Sequence, residues 1–220
     1  MPITFKDIKN SEEVNSYIKQ ADATLEALGF TEHSFVHANK CATTAGKLLE
    51  DLGYSNQEIE LAKIAAYMHD IGNVINRQDH AQSGAVMAFR ILDKMGMSHE
   101  NIAAVITAIG NHDEKTAFPV NAIAAAVILA DKTDVRRSRV RCQTTISSDI
   151  HDRVNYAVEK NELKLNIEEK ILTAYFTIDT NISSVMDYFE IFLDRMLLCR
   201  KAANFFGLKF KININGSDLL

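Results

Sequence analysis

The stretch from Ala122 to Ala130 is built almost wholly of Ala, Val, Ile and Leu, and it runs straight into Asp131. A segment that apolar on every side belongs in the middle of a core. It is far too short to cross a bilayer, which takes about 20 residues. A carboxylate at its end costs several kcal/mol to bury, roughly, unless it is paired or bound to a metal ion. The run is therefore expected to be buried, with Asp131 paired or bound to metal.

The punctuation around that run marks helices. The chain has two prolines, and its glycines fall where helices should stop. Val36, Cys41, Ala45, Leu48 and Leu52 recur at helical spacing, with Thr31 as a cap and Gly53 as the stop. Ser55-Asn56-Gln57-Glu58 forms a capping box that opens a helix through Ile59, Ala62, Ala65, Ala66 and Met68. Asp79 can cap a third helix, with Val86, Phe89 and Leu92 as its stripe and Gly96 as its stop. Ser98 starts a fourth, through Ile102, Val105 and Ile109, and Pro119 suits the first turn of a fifth that runs past Asp131. Short helices with short connections predict an all-α part over residues 1–145.

Beyond about residue 150 the texture changes. Val154–Lys160 and Glu162–Asn166 alternate like strands around Asn161, and Ile171–Ile178 is rich in aromatic and β-branched residues. A long helix from Ser183 to Phe206 and a last strand over Lys209–Asn213 complete a small α+β subdomain, residues 146–220. Its sheet is expected to be antiparallel, with the helix covering it. Tyr188, Phe189, Phe192, Arg195 and Met196 read as one packing face, which can also serve as a homodimer surface.

Composition narrows the function. Hydrophobic residues make up 47% and charged residues 24%, enough for a core without disulfides. Cys41, Cys142 and Cys199 form no C-x-x-C pair, which fits a reducing compartment. With a charged start to the chain and no apolar leader, a cytoplasmic protein without a membrane anchor is expected. A net charge of −5 argues against general nucleic-acid binding. The basic stretch Lys132–Arg141 reads as a solvated or salt-bridged face, or as a cationic wall for a phosphate-bearing substrate.

Four of the seven histidines form an ordered series with two aspartates: His37, His69-Asp70, His80, His112 and Asp131. Each falls at or near a helix or its end. Neutral imidazole with ionised carboxylate suits Fe, Mn, Co or Zn better than Ca or Mg alone. A carboxylate has two oxygens, so one Asp can bridge two ions about 3.5–4 Å apart. His33, His99 and His151 read as ordinary hydrogen-bonded residues, and Asp134 as a partner of Arg136 or Arg137 on one helix.

This series resembles the HD-domain superfamily of metal-dependent phosphohydrolases. His69-Asp70-Ile71-Gly72 looks like the defining His-Asp doublet, His37 like the first-helix ligand and Asp131 like the last. His80 and His112 resemble the extra ligands of two-metal members. The resemblance covers about residues 30–140 and implies an HD-type helical bundle. It implies one metal on His37, His69, Asp70 and Asp131, and a second on Asp70, His80 and His112.

A metal-activated hydroxide would then attack a phosphate ester or anhydride of a nucleotide or other small phosphorylated metabolite. Asp70 and Lys132 are the expected catalytic residues, and Lys40 and Arg136 the expected substrate contacts. Lys132 and Arg136 are read as one turn apart on a helix. Two departures stand out. Many two-metal relatives have Lys three residues after the doublet's Asp, where this chain has Asn73, and some have a His-His pair at His112-Asp113. The chain also lacks the Gly-Tyr-Pro motif of the cyclic-dinucleotide phosphodiesterase branch. The resemblance leaves two other readings open: a mixed-valent di-iron oxygenase, and a non-catalytic sensing or scaffold domain.

Overall fold

The computed structural model describes residues 3–142, 144, 146 and 148–219, and these divide into two compact units, one ending at Asp131 and the other beginning at Lys132. The division lies fourteen residues or so before the boundary expected at residue 145. Among the described residues, no helix is long and apolar enough to cross a membrane.

The first unit is helical throughout. Helix α1 (Phe5–Lys9) and α2 (Glu12–Ala27) precede any helix read from the sequence. Val14, Ile18, Ala21 and Leu25 line the buried side of α2 at helical spacing. Helix α3 (Phe35–Asp51) is capped by Ser34, whose side chain accepts from the Val36 N–H, and not by Thr31. The Glu32 carboxylate accepts from both the backbone N–H and the hydroxyl of Ser34, which fixes the start at that point. Gly53 takes φ +78°, and the Tyr54 N–H closes on the Leu49 carbonyl, so α3 ends in the left-handed turn its glycine allows. Val36 is exposed, and the buried stripe starts at His37 and Ala38 instead.

Helix α4 (Asn56–Met68) carries the expected Ser55–Glu58 capping box. A 3-10 turn (Ile71–Val74) links it to α5 (His80–Lys94). Asp79 sits at the cap position but in the left-handed region, φ +57°, and its side chain makes no capping bond. The buried side of α5 keeps Leu92 of the expected stripe but not Val86 or Phe89. Val86 and Phe89 are exposed, while Ala81, Gly84, Ala88, Ile91 and Leu92 are buried. Close approach explains it: a Cβ on Gly84 would stand 3.2 Å from the Gly72 nitrogen, so only small residues fit where α5 meets the turn.

Helix α6 (His99–Gly110) is capped by Ser98. Helix α7 (Ala122–Lys132) starts later than Pro119, because Asn121 Oδ1 accepts from the Ala124 N–H at 2.7 Å. From Ile123 to Ala130 every residue is at most 5% exposed, so α7 is buried along the run whose composition requires it. Burial of its Ile, Val and Leu side chains contributes about 1.5–3 kcal/mol each. Helix α3 packs along α4, and α5 along α6.

The second unit is α+β. A 3-10 turn (Arg137–Arg139) and α8 (Ile150–Ala157) come first. Strands β1 (Val158–Asn166), β2 (Ile171–Ile178), β3 (Lys209–Ile214) and β4 (Ser217–Asp218) form one sheet in that order. Helix α9 (Val185–Phe205) joins β2 to β3.

Two expectations are corrected here. Val154–Ala157 is helical, because Asp149 accepts from the His151 and Asp152 N–H groups and caps α8; β1 then runs unbroken through Asn161, which pairs with Phe176. The sheet is mixed: β1–β2 and β3–β4 are antiparallel, but β2–β3 is parallel. A helical crossover returns the chain to the same end of the sheet, so the strands it joins run the same way. Leu172, Ala174, Phe176 and Ile178 on β2 and Phe210, Ile212 and Ile214 on β3 are buried, as is Thr173. Tyr188, Phe192 and Met196 of α9 are buried as well, with the Tyr188 ring 5.2 Å from that of Phe176. The Asn215-Gly216 turn, both residues at positive φ, closes the last hairpin.

Candidate metal centre

Five stretches of the first unit send side chains to one place. His37 lies in the first turn of α3, and His69 and Asp70 sit where α4 gives way to the 3-10 turn. His80 opens α5, His112 follows the end of α6, and Asp131 is near the end of α7. All four imidazoles are at most 3% exposed. The six residues expected from the sequence are thus brought together.

Hydrogen bonding fixes which ring nitrogens face inward. His69 Nδ1 is 2.7 Å from the Ala66 carbonyl, His80 Nδ1 is 3.0 Å from that of Arg77, and His112 Nδ1 is 2.6 Å from that of Ile109. A carbonyl only accepts, so each Nδ1 carries the proton, and in the neutral ring Nε2 keeps a lone pair. These lone pairs meet. His80 Nε2 and His112 Nε2 are 3.1 Å apart, and His37 Nε2 and His69 Nε2 are 3.3 Å apart. The lone pairs of His80 and His112 repel at that distance unless a positive charge lies between them.

The carboxylates divide between the two histidine pairs. Asp70 Oδ2 is 3.2 Å from His69 Nε2 and 3.7 Å from His37 Nε2. Asp70 Oδ1 is 3.4 Å from His80 Nε2 and 3.7 Å from His112 Nε2. Asp131 Oδ1 is 3.4 Å from His37 Nε2 and 3.7 Å from His69 Nε2. Four donors therefore surround one point and three the other, with Asp70 common to both. The residues present fit divalent metal by donor type and spacing.

Electrostatics agree with a site made for positive charge. Burial raises the Asp70 pKa, but charge on His69 and hydrogen bonds from His112 and His69 prevail and hold it well below the usual carboxylate range. Burial lowers His69, but Asp70 and Asp131 outweigh it and hold its pKa at about 10. At His80 burial dominates and lowers the pKa to about 4.

Several neighbours escaped the sequence reading. Cys41, one turn after His37, is buried with Sγ 3.6 Å from both nitrogens of the His37 ring. Buried Asn73 donates to Asp70 Oδ1 at 3.0 Å, orienting that carboxylate. Arg77 brings its guanidinium to the same side. Cys41 had a signal, its i+4 relation to His37; Arg77 lies on an irregular loop and had none. His33 is half-buried, with its ring 5.5 Å from that of His37, while His99 and His151 are exposed.

The expected cations are placed as follows. Lys40 is half-buried on α3, one turn after His37. Lys132 is buried and ends α7. Arg136 is not one helical turn from it, because α7 stops at Lys132 and Arg136 is extended, φ −161°. Its Nε donates to Asp134 Oδ1 at 3.0 Å, so the expected pairing exists but off the helix.

The HD domain family matches residues 34–142, a window that holds all six inward-facing side chains. An uncharacterized protein of Methanocaldococcus jannaschii is 25% identical, over 76% of this chain and 73% of its own length. The crystal structure of a predicted HD superfamily hydrolase from an uncultured Thermotogales bacterium is 24% identical, with a TM-score of 0.45. That match covers 56% of this chain and 67% of the other, a likeness too loose to bear on activity.

Proposed function

Because this chain belongs to the HD-domain superfamily, we propose that it is a metal-dependent phosphohydrolase acting on a phosphate ester or anhydride of a nucleotide or other small phosphorylated metabolite. One observation carries the reading: the two oxygens of Asp70 face two separate pairs of imidazole Nε2 atoms. In the proposal His37, His69, Asp70 and Asp131 hold one divalent ion, and Asp70, His80 and His112 hold the other, drawn from Fe, Mn, Co or Zn. Ions so placed would supply a hydroxide near neutral pH and neutralise charge on the phosphoryl oxygens.

The protein's own part is positional. Backbone carbonyls lock three imidazole tautomers, and Asn73 holds the Asp70 carboxylate in orientation. Asp70 is the catalytic carboxylate of the proposal. Lys40 is assigned to the substrate anion and Lys132 to developing charge, with Arg136 a further substrate contact. Asn73 has no acidic proton to give, so the leaving group takes its proton from another donor or from water.

The test is elemental analysis of purified protein, followed by a screen of nucleotides and sugar phosphates. Turnover should vanish with chelator and return with Mn, Fe or Co. Protein loaded with metal that turns over no phosphate compound would refute the proposal. Coloured protein with two irons per chain and oxygen uptake would favour the oxygenase reading in its place.

A further inference from the structure

Arg77 sits in the loop between the 3-10 turn and α5. Its Nη1 is 3.3 Å from Asn73 Oδ1, 3.3 Å from His80 Nε2 and 4.0 Å from Asp70 Oδ1. Among the described residues, its polar contacts with Asn73, His80 and Asp70 all run through that one nitrogen, although a guanidinium has five N–H donors in a planar fork. The side chain is 31% exposed, so it is open in part to solvent. Beneath it lies the ring of Phe30, its centroid 5.5 Å from the guanidinium carbon. Contact with an aromatic face uses the flat side of the guanidinium and leaves its edge for oxygen acceptors.

A purely structural role accounts for this poorly. The hydrogen bond to Asn73 is long, and the ion pair with Asp70 is at the limit of contact. A permanent cation is also unfavourable beside donors arranged for a metal ion, unless an anion is shared between the two. Phosphate is the anion whose oxygens match the fork.

We propose that Arg77 is a phosphate-binding residue, taking two oxygens of a terminal phosphate presented to the Asp70–His80–His112 half of the site. The inference rests on the phosphohydrolase reading and sharpens its substrate class. A terminal phosphate has three non-bridging oxygens, two for the fork and one left to face the metal-binding side. A diester has only two. Arg77 therefore selects phosphomonoesters and terminal phosphates over diesters.

The test uses the full chain loaded with Mn, as wild type, Arg77→Ala and Arg77→Lys. Metal content is measured by elemental analysis and inorganic phosphate binding by calorimetry. Turnover is compared on p-nitrophenyl phosphate and bis(p-nitrophenyl) phosphate. Arg77→Ala should keep its metal content and bind phosphate about 10- to 100-fold more weakly, the loss of a charged hydrogen-bond pair. Arg77→Lys should recover part of that, and the monoester preference should shrink in both variants. Unchanged phosphate affinity in Arg77→Ala overturns the proposal. So does loss of a metal equivalent, which would make Arg77 a brace for Asp70 and His80. Wild type that binds phosphate through Arg77 but hydrolyses nothing refutes the hydrolase reading and leaves the anion site standing. Hydrolysis indifferent to Arg77 does the reverse.

Discussion

One methyl group at Gly72 should pull the two halves of the metal centre apart. A Cβ at that position would lie 2.0 Å from the His80 carbonyl oxygen, 2.5 Å from the Gly84 nitrogen and 2.6 Å from Ser83 Oγ. The first two are backbone atoms, so no side-chain rotation relieves them. Reaching even the 3.0 Å floor of real Cβ contacts requires the start of α5 to retreat by about 1 Å. His80 is carried on that first turn, and its Nε2 is already 3.4 Å from Asp70 Oδ1. Overpacking of this kind costs about 1–3 kcal/mol, and a ligand about 1 Å out of place no longer shares an ion with its partners. Gly72→Ala should therefore unfold at lower urea and bind one metal equivalent fewer than wild type. Gly110→Ala is the control, because its Cβ would meet only Ala85 Cβ, at 3.7 Å. Full metal content and wild-type stability in Gly72→Ala would refute the reasoning.

Asp70→Asn keeps the shape but leaves a single acceptor oxygen for two donor sets. It should weaken one ion by more than the roughly 10–100-fold that an outer partner of a metal ligand is worth, read as metal content after dialysis; two retained equivalents would exclude a shared carboxylate. Tyr188 is fully buried, and burial first, then Cys199, pushes its pKa well above the ordinary value of 10, with Arg195 opposing. The unfolded chain then loses this proton above pH 10 while the folded chain keeps it, so stability is intact below 10 and falls as pH rises further. The fall is about 1.4 kcal/mol per pH unit from this group, and urea titrations of Tyr188→Phe at pH 9 and about 11 should show it reduced; an equal slope in both proteins would count against it.

The parts legible in the sequence are those where one residue type has one physical solution. Ala122–Ala130 had to be buried, and it is. The Ser55 capping box and the Gly53 stop depend only on neighbouring residues, and both stand. The six inward side chains could be named because imidazole and carboxylate in apolar surroundings need a cation, and because their order resembles a family. Tertiary approach was the illegible part. Val86 and Phe89 share helical spacing with Leu92, yet the Gly72–Gly84 contact turns the side of Ala81, Gly84 and Ala88 inward and leaves those two exposed. Val154–Ala157 alternates like a strand, but the Asp149 cap commits it to a helix. Arg77 owes its place to the loop that carries it, for which no periodicity exists.

The inward side chains come from five separate stretches, and only His69 and Asp70 are neighbours in the chain. No single element contains the whole set. Capture of an ion by His37, His69, Asp70 and Asp131 thus requires α3, the end of α4 and α7 to be in place, and is expected late in folding. Once captured, an ion acts as a clasp between distant parts of the chain, so resistance to proteases should rise and fall with loading.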